Sequence, residues 1–261
     1  MRSTLSRSGT PWVLMYHSVD DCRHDPYRLT VSPRRFDQQM RWIKGTGRRG
    51  VSMAELLRAW EEGTAGNLVG LTFDDGYADF QEQAVPILES HGFSATVFVV
   101  AGRIGDHNRW DVGTPRKPLL TARQLRSLRG SRMEVGSHGT THRRLVGMSA
   151  ADLSLEVSRS RAELEGMLQQ PVQGFCYPYG ALEGATVAAV GRAGYQYATA
   201  VGHASHSGRW SLPRSYVGER DCGWRLRAKR FRHRLRDAAH SAQCAPLATD
   251  PATDLATLAA D

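Results

Sequence analysis

The sequence predicts an α/β protein organised around a mostly parallel sheet. About seven short apolar runs alternate with helical patterns through most of the chain, as repeated strand–helix units do. At 261 residues it is long for one ordinary domain yet normal for a single α/β barrel. Residues able to do chemistry also fall just beyond the ends of several runs, where α/β barrels assemble their active sites. Two architectures stay open at this point, a closed barrel and an open doubly wound sheet.

Val13 to Tyr16 reads as the first strand, with His17 at its end. Ser32-Pro33 opens the first helix, with proline at the first helical position, where its missing N–H is harmless. Ser52 with Glu55 forms a capping-box pattern ahead of the next helix. Leu68 to Phe73 follows as a strand ending in Asp74 and Asp75, and Ala95 to Val100 as another. The long irregular stretch from Gly102 to Pro118, which carries Trp110 and Asp111, is of the kind that lines clefts. Thr121 caps a helix that stops at Gly130, and Arg132 to Val135 is the next strand. Ser149 with Asp152 starts a further helix, and Gly174 to Tyr177, Tyr197 to Ala200 and Trp210 to Pro213 complete the strands. No Gly-rich phosphate fingerprint follows the first strand, which weakens a dinucleotide-binding reading, and no internal repeat is visible.

A hydrophobic content of 41% supports a sizeable core. No apolar run is long enough to span a bilayer, and the N-terminus has Arg2 and Arg7 but no apolar signal region or cleavage site. A cytoplasmic or membrane-peripheral location is the expectation. Cys22, Cys176, Cys222 and Cys244 are widely spaced, so neither a zinc ribbon nor a disulfide framework is indicated. The net charge of +8 is concentrated between Arg220 and Arg236, where eight Lys/Arg face one Asp. The rest of the chain is nearly neutral, which argues against nucleic acid as a partner.

The expected organisation is a single-domain catalytic barrel over 1–218, a basic amphipathic helix over 219–236 and a disordered tail over 237–261, rich in Ala, Thr and Asp. In the basic segment Trp224, Ala228, Phe231 and Leu235 recur at helical spacing as an apolar stripe. Two readings of it stay open. The stripe either docks onto the barrel or lies on an anionic membrane surface.

The chemistry centres on two segments. Asp74 and Asp75 stand side by side after a buried strand, where like charges repel unless something cationic sits beside them. His138 and His142, in Ser137-His138-Gly139-Thr140-Thr141-His142, lie four apart. Extended, they would be ~13 Å apart, but on a helical turn their Cβ atoms come within roughly 6 Å, and Gly139 helps the chain turn. One Asp and two His supply three protein ligands of an open catalytic zinc-type site, and the second Asp is free to take a proton from water. The chain thus reads as a metal-dependent hydrolase. Asp79 reads as a helix N-cap, and His91, His107, His203 and His206 as surface or loop histidines without a partner at ligand spacing.

Taken together, these segments resemble the polysaccharide deacetylase family, the NodB-homology carbohydrate esterases. Thr72-Phe73-Asp74-Asp75-Gly76 matches that family's first motif residue for residue, and Ser137 to His142 is similar to its second, with Gly139 where Ser or Thr is usual. The resemblance covers about residues 12 to 217. It implies a distorted (β/α)7 barrel with Zn²⁺ or a similar divalent ion, held by Asp75, His138 and His142, and Asp74 as general base. Cys176 stands where the third motif usually has the Arg that braces this base, and Arg214, in Leu212-Pro213-Arg214, is the candidate replacement. Tyr16-His17 and Tyr177-Pro178-Tyr179-Gly180 are similar to segments of the poly-N-acetylglucosamine deacetylase-like branch. That branch implies His17 as general acid and the backbone N–H of Tyr179 as oxyanion donor. Trp110, Tyr177 and Tyr179 are the expected substrate contacts, and an N-acetylated glycan the expected substrate. A lipid-linked amino sugar as substrate, or a catalytically silent carbohydrate-binding relative, are the alternatives.

Overall fold

Strands pair in parallel throughout the computed structural model, which describes residues 9–202 and 208–243. They are β1 (Val13–Tyr16), β2 (Ser18–Val19), β3 (Thr30–Val31), β4 (Arg49–Val51), β5 (Leu68–Phe73), β6 (Thr96–Val99), β7 (Glu134–Ser137), β8 (Gly174–Cys176), β9 (Tyr197–Thr199) and β10 (Ser215–Tyr216). The main sheet runs β10-β1-β5-β6-β7-β8-β9, with β4 against the first half of β5, while β2 and β3 pair separately. Helices α1 (Pro33–Gly45), α2 (Met53–Glu61), α3 (Val85–His91), α4 (Ala122–Leu128), α5 (Ala150–Ser154), α6 (Ser160–Leu168) and α7 (Gly184–Arg192) connect the strands, and α8 (Gly223–Gln243) follows the last. A π-helical stretch, Leu155–Arg159, joins α5 to α6.

One segment joins the two edges of this sheet. Leu212 bridges to Thr199 of β9, and Ser215 and Tyr216 pair with Leu14 and Met15 of β1. The sheet therefore curls into the distorted barrel that the sequence resemblance implies. The strand expected at Trp210 to Pro213 is corrected by this geometry. Only Leu212 pairs there, Pro213 has no N–H to give a ladder, and the strand proper begins at Ser215. The strand expected at Arg132 to Val135 likewise sits two residues later, at Glu134–Ser137.

Alternation along each strand separates two cores. Leu14 and Tyr16 of β1 point outward, where Tyr16 meets Phe36 of α1 edge-on and stacks against Phe73. Val13 joins Phe98, Cys176, Tyr197 and Leu212 in a second cluster that also takes Met53 and Leu56 of α2. Close approach demands glycine at two inner positions. A Cβ on Gly136 would lie 2.5 Å from the Phe98 ring, and one on Gly174 2.2 Å from Tyr197.

Helix starts follow the sequence closely. Ser32, Ser52 and Ser149 each accept the N–H three residues on, and Thr121 forms a full capping box with Gln124. Asp79 does not cap. It occupies the start of a π-helical turn, but its carboxylate accepts from Ser18 Oγ (2.6 Å) and the Val19 N–H (3.1 Å), tying β2 to this helix instead.

The C-terminal segment departs most from expectation. Helix α8 continues through Gln243, so 237–243 is helical rather than a disordered tail, and 244–261 lies outside the described residues. The predicted apolar stripe is not the docking face. Leu226, His233 and Asp237 are buried, with Asp237 accepting from the Thr10 N–H and hydroxyl and the His233 ring bonded to the Thr10 carbonyl. Lys229 Nζ donates to the Tyr216 carbonyl and to Asp221. These polar contacts outcompete the stripe, which faces away from the barrel.

Candidate active site

Strand parity gathers the chemistry at one end of the barrel. In β5, Leu71 and Phe73 belong to the outer core, so Thr72 and Asp74 face inward. Regular alternation would turn Asp75 outward. Its φ of +72° breaks the alternation and keeps both carboxylates on the inner side. In β7 the same parity sends Val135 outward and His138 inward.

Five described non-glycine residues have a positive φ, and three of them are Asp75, His142 (φ +62°) and Tyr179 (φ +60°). Each such conformation costs about 1–3 kcal/mol and persists only where the surroundings enforce it. Strain is thus concentrated at this site.

The donors form a compact set. His138 Nε2 lies 3.5 Å and His142 Nε2 3.2 Å from Asp75 Oδ1, all three side chains being buried. The loop between the histidines turns as their spacing requires, their ring centroids standing 5.0 Å apart. His138 Nδ1 is bonded to the Cys176 carbonyl at 2.8 Å and Nε2 faces Asp75, to which it donates when the ring is protonated and toward which it turns its lone pair when the ring is neutral. Burial would raise the Asp75 carboxyl, but hydrogen bonds from His138 and His142 hold it well below the usual range. Burial would lower the His138 imidazole, but Cys176 and Asp75 push it well above its ordinary value. The pocket therefore favours added positive charge, and one carboxylate with two imidazoles fits a divalent ion with a position left open.

A second grouping, Asp74 with His138 and Cys176, also brings donor atoms together. Two of its members, Asp74 and Cys176, already answer to Arg214. That guanidinium grips Asp74 with both nitrogens, at 2.6 and 2.8 Å, and donates to Thr72 Oγ1, the Ala200 carbonyl and Cys176 Sγ. Burial would raise the Asp74 carboxyl, yet Arg214 brings it below its ordinary range. Arg214, the candidate replacement for the missing third-motif Arg, is thus placed on Asp74, with Cys176 sulfur beside it. His17 Nε2 stands 3.9 Å from Asp74 Oδ2.

These residues open on a cleft of about 480 Å³. Trp110 stacks on His142 at 4.3 Å between ring centroids, Tyr179 meets the same ring edge-on at 4.7 Å, and Arg144 covers Tyr179. Trp110 and Tyr179 are therefore on the cleft as expected. Tyr177 is different. Parity with Phe175 sends its ring into the outer core, and its hydroxyl donates to the Trp210 carbonyl at 3.0 Å, although the residue still borders the cleft. His91 and His107 pair with Asp37 and Asp106, each at 2.8 Å, away from this set, and His203 and His206 lie outside the described residues.

Glu156 is the functional candidate that the sequence reading missed. It is buried, and its carboxylate accepts the N–H groups of Thr140 (3.0 Å) and Thr141 (2.9 Å) together with the Thr141 hydroxyl, pinning the loop that ends in His142. The signal was an acid at a buried position of a helix, beside Leu153, Val157 and Leu164. Glu156→Ala is expected to weaken metal binding about 10–100-fold, as the loss of groups that orient ligands does. Competition titration checks this, and unchanged affinity would reduce Glu156 to a packing role.

Residues 61–198 match the sequence profile of the family described as polysaccharide deacetylase. The chain is 28% identical to Bacillus subtilis YxkH, named for the same family, over 70% of this chain and 62% of that protein. It is 22% identical to a Staphylococcus aureus poly-β-1,6-N-acetyl-D-glucosamine N-deacetylase over 64% of this chain and 60% of that one. The chain thus spans about three-fifths of the length of these curated relatives. Among solved structures it is similar to the Streptococcus pyogenes deacetylase PplD in complex with acetate, with a TM-score of 0.72 and 26% identity over 84% of this chain and 97% of that one. With both acidic and histidine motifs converging in one barrel mouth, the chain belongs to the polysaccharide deacetylase family.

Proposed function

We propose that this chain removes N-acetyl groups from an N-acetylglucosamine-type glycan by hydrolysis of the amide. The observation that carries this reading is the pairing, in one cleft, of an Arg-held carboxylate (Asp74) with a three-donor set (Asp75, His138, His142). An amide is a poor electrophile and an amine anion an impossible leaving group near neutral pH. Hydrolysis therefore needs activated water, a stabilised oxyanion and a proton for nitrogen. A divalent ion of the Zn²⁺ type at the three donors supplies Lewis acidity and acidified water.

The chain's own residues do the rest. Asp74, kept ionised by Arg214, accepts the proton of the attacking water. The Tyr179 backbone N–H serves the acyl oxygen as charge develops there, a kind of donor whose removal in other enzymes costs ~10²–10³ in rate. His17, which lines the cleft beside Asp74, delivers a proton to the departing nitrogen. The Trp110 and Tyr179 rings give a sugar apolar faces beside the reacting acetamide.

Acetate release from N-acetylated oligosaccharides, before and after removal of metal by a chelator, tests the reading. Release that stops with chelation and returns with a divalent ion is the expected result, and no release from any such substrate would leave a silent carbohydrate-binding relative. Hydrolysis confined to a lipid-linked amino sugar would favour that second reading, which the exposed apolar face of α8 recommends. His17→Ala is expected to lower kcat about 10²–10⁴-fold without loss of metal. An unchanged kcat would assign nitrogen protonation to another group.

A further inference from the structure

Trp224, Phe231 and Leu235 are 68%, 62% and 54% exposed, although they form one continuous stripe on α8. The helix is seated by its opposite side, through Leu226, His233 and Asp237. At about 100° per residue, Arg225, Arg232 and Arg236 border the stripe on one flank, and Arg227 and Arg234 on the other. All five are exposed. Asp237 is the one acid in α8, and it is held by Thr10 on the docking side.

We propose that α8 lies along the surface of an anionic lipid bilayer, with Trp224, Phe231 and Leu235 sunk to the level of the acyl boundary and the flanking arginines on lipid phosphates. An apolar keel between two basic rails, with protein behind it, is the geometry of an interfacial helix. Trp suits that depth because its ring is apolar at one end and polar at the other, and Arg pairs with phosphate in a bidentate fork. Charge complementarity chooses the occupant. A second copy of α8 would bring arginine rails together, because the one acid of the helix is turned to the barrel, whereas an anionic leaflet offers phosphates and hydrocarbon within a few ångströms of one another. No helix among the described residues is long and apolar enough to cross a membrane, so the contact is peripheral. Trp224, Arg225 and Arg232 also line a surface groove of about 790 Å³ that reaches Tyr216, and Tyr216 borders the catalytic cleft. Contact through α8 would thus hold the cleft beside the leaflet.

Co-sedimentation of the full chain with vesicles tests this without any substrate, so its failure is separable from failure of the deacetylase reading. Vesicles of mixed phosphatidylcholine and phosphatidylglycerol are compared with pure phosphatidylcholine, at low and high salt. The expected result is partition at least about tenfold stronger on the anionic vesicles, weakened by salt. The triple variant Trp224→Ser, Phe231→Ser, Leu235→Ser should lose about tenfold or more of that binding while melting with the wild type, because the three side chains are exposed. Equal binding to both vesicle types, or undiminished binding by the triple variant, would overturn the proposal. So would a wild-type dimer in sedimentation velocity that the triple variant converts to monomer, which would make a second copy the occupant.

Discussion

Asp74→Asn is expected to lower kcat by about 10²–10⁴-fold while the protein still binds its metal. The amide cannot take the proton of the attacking water, but it leaves Asp75, His138 and His142 in place. Asp75→Asn should do the opposite first, releasing metal because it removes the only charged ligand of the set. Elemental analysis beside steady-state kinetics separates the two, and reversed phenotypes would exchange the roles of the neighbouring carboxylates. The Asp74 variant also leaves the buried guanidinium of Arg214 without its counter-charge, so its activity must be read on protein shown to be folded.

Arg214→Met should be the more damaging change for the fold. Both partners are buried, and breaking a buried pair by removing one member typically costs about 3–5 kcal/mol. The pH dependence gives a second readout. With Arg214 present, the Asp74 carboxyl sits below its ordinary range, so the stability it contributes is present at neutral pH and is lost only as the pH falls through that lowered value. Without Arg214 the strongest opposition to burial is gone, only the charges of His138 and His17 remain to lower the carboxyl, and it moves upward. Asp74 then takes up a proton at higher pH, and the acid limb of kcat/KM moves upward. Adding Asp74→Asn to Arg214→Met should recover part of the lost stability, because no buried charge remains uncompensated. A single variant that melts like wild type, with an unmoved acid limb, would remove Arg214 from the role of brace.

Much of this architecture was legible because strand ends and chemistry coincide. β1 and β5 fall where the apolar runs predict, and four of the five expected helix caps form on the expected residues. Short elements were not legible. β4, Arg49-Gly50-Val51, has no apolar run to announce it, and β2 and β3 are two residues each. The shift of β7 arose because buried Met133 extends the apolar pattern ahead of the strand. Tyr177 could have been placed from strand parity alone, since it shares the outward register of Phe175. Helix α8 was misread at its end for a different reason. Its C-terminal half is seated on Thr10, 227 residues from Asp237, and no local pattern encodes such a contact.

The position of Arg214 bears on when the chain becomes an enzyme. It lies in the seam where Leu212 to Tyr216 joins β9 to β1, and 140 residues separate it from Asp74. During synthesis the N-terminal part of a chain emerges first, and contacts of such long sequence separation form late. The stretch 61–198 already contains Asp75, His138 and His142, but not Arg214. A chain that ends before Arg214 therefore carries every candidate metal donor but lacks the buried counter-charge of Asp74. On the proposed mechanism, the metal donors and the brace of the base come from parts of the chain made at different times, and the brace, just ahead of β10, is made last.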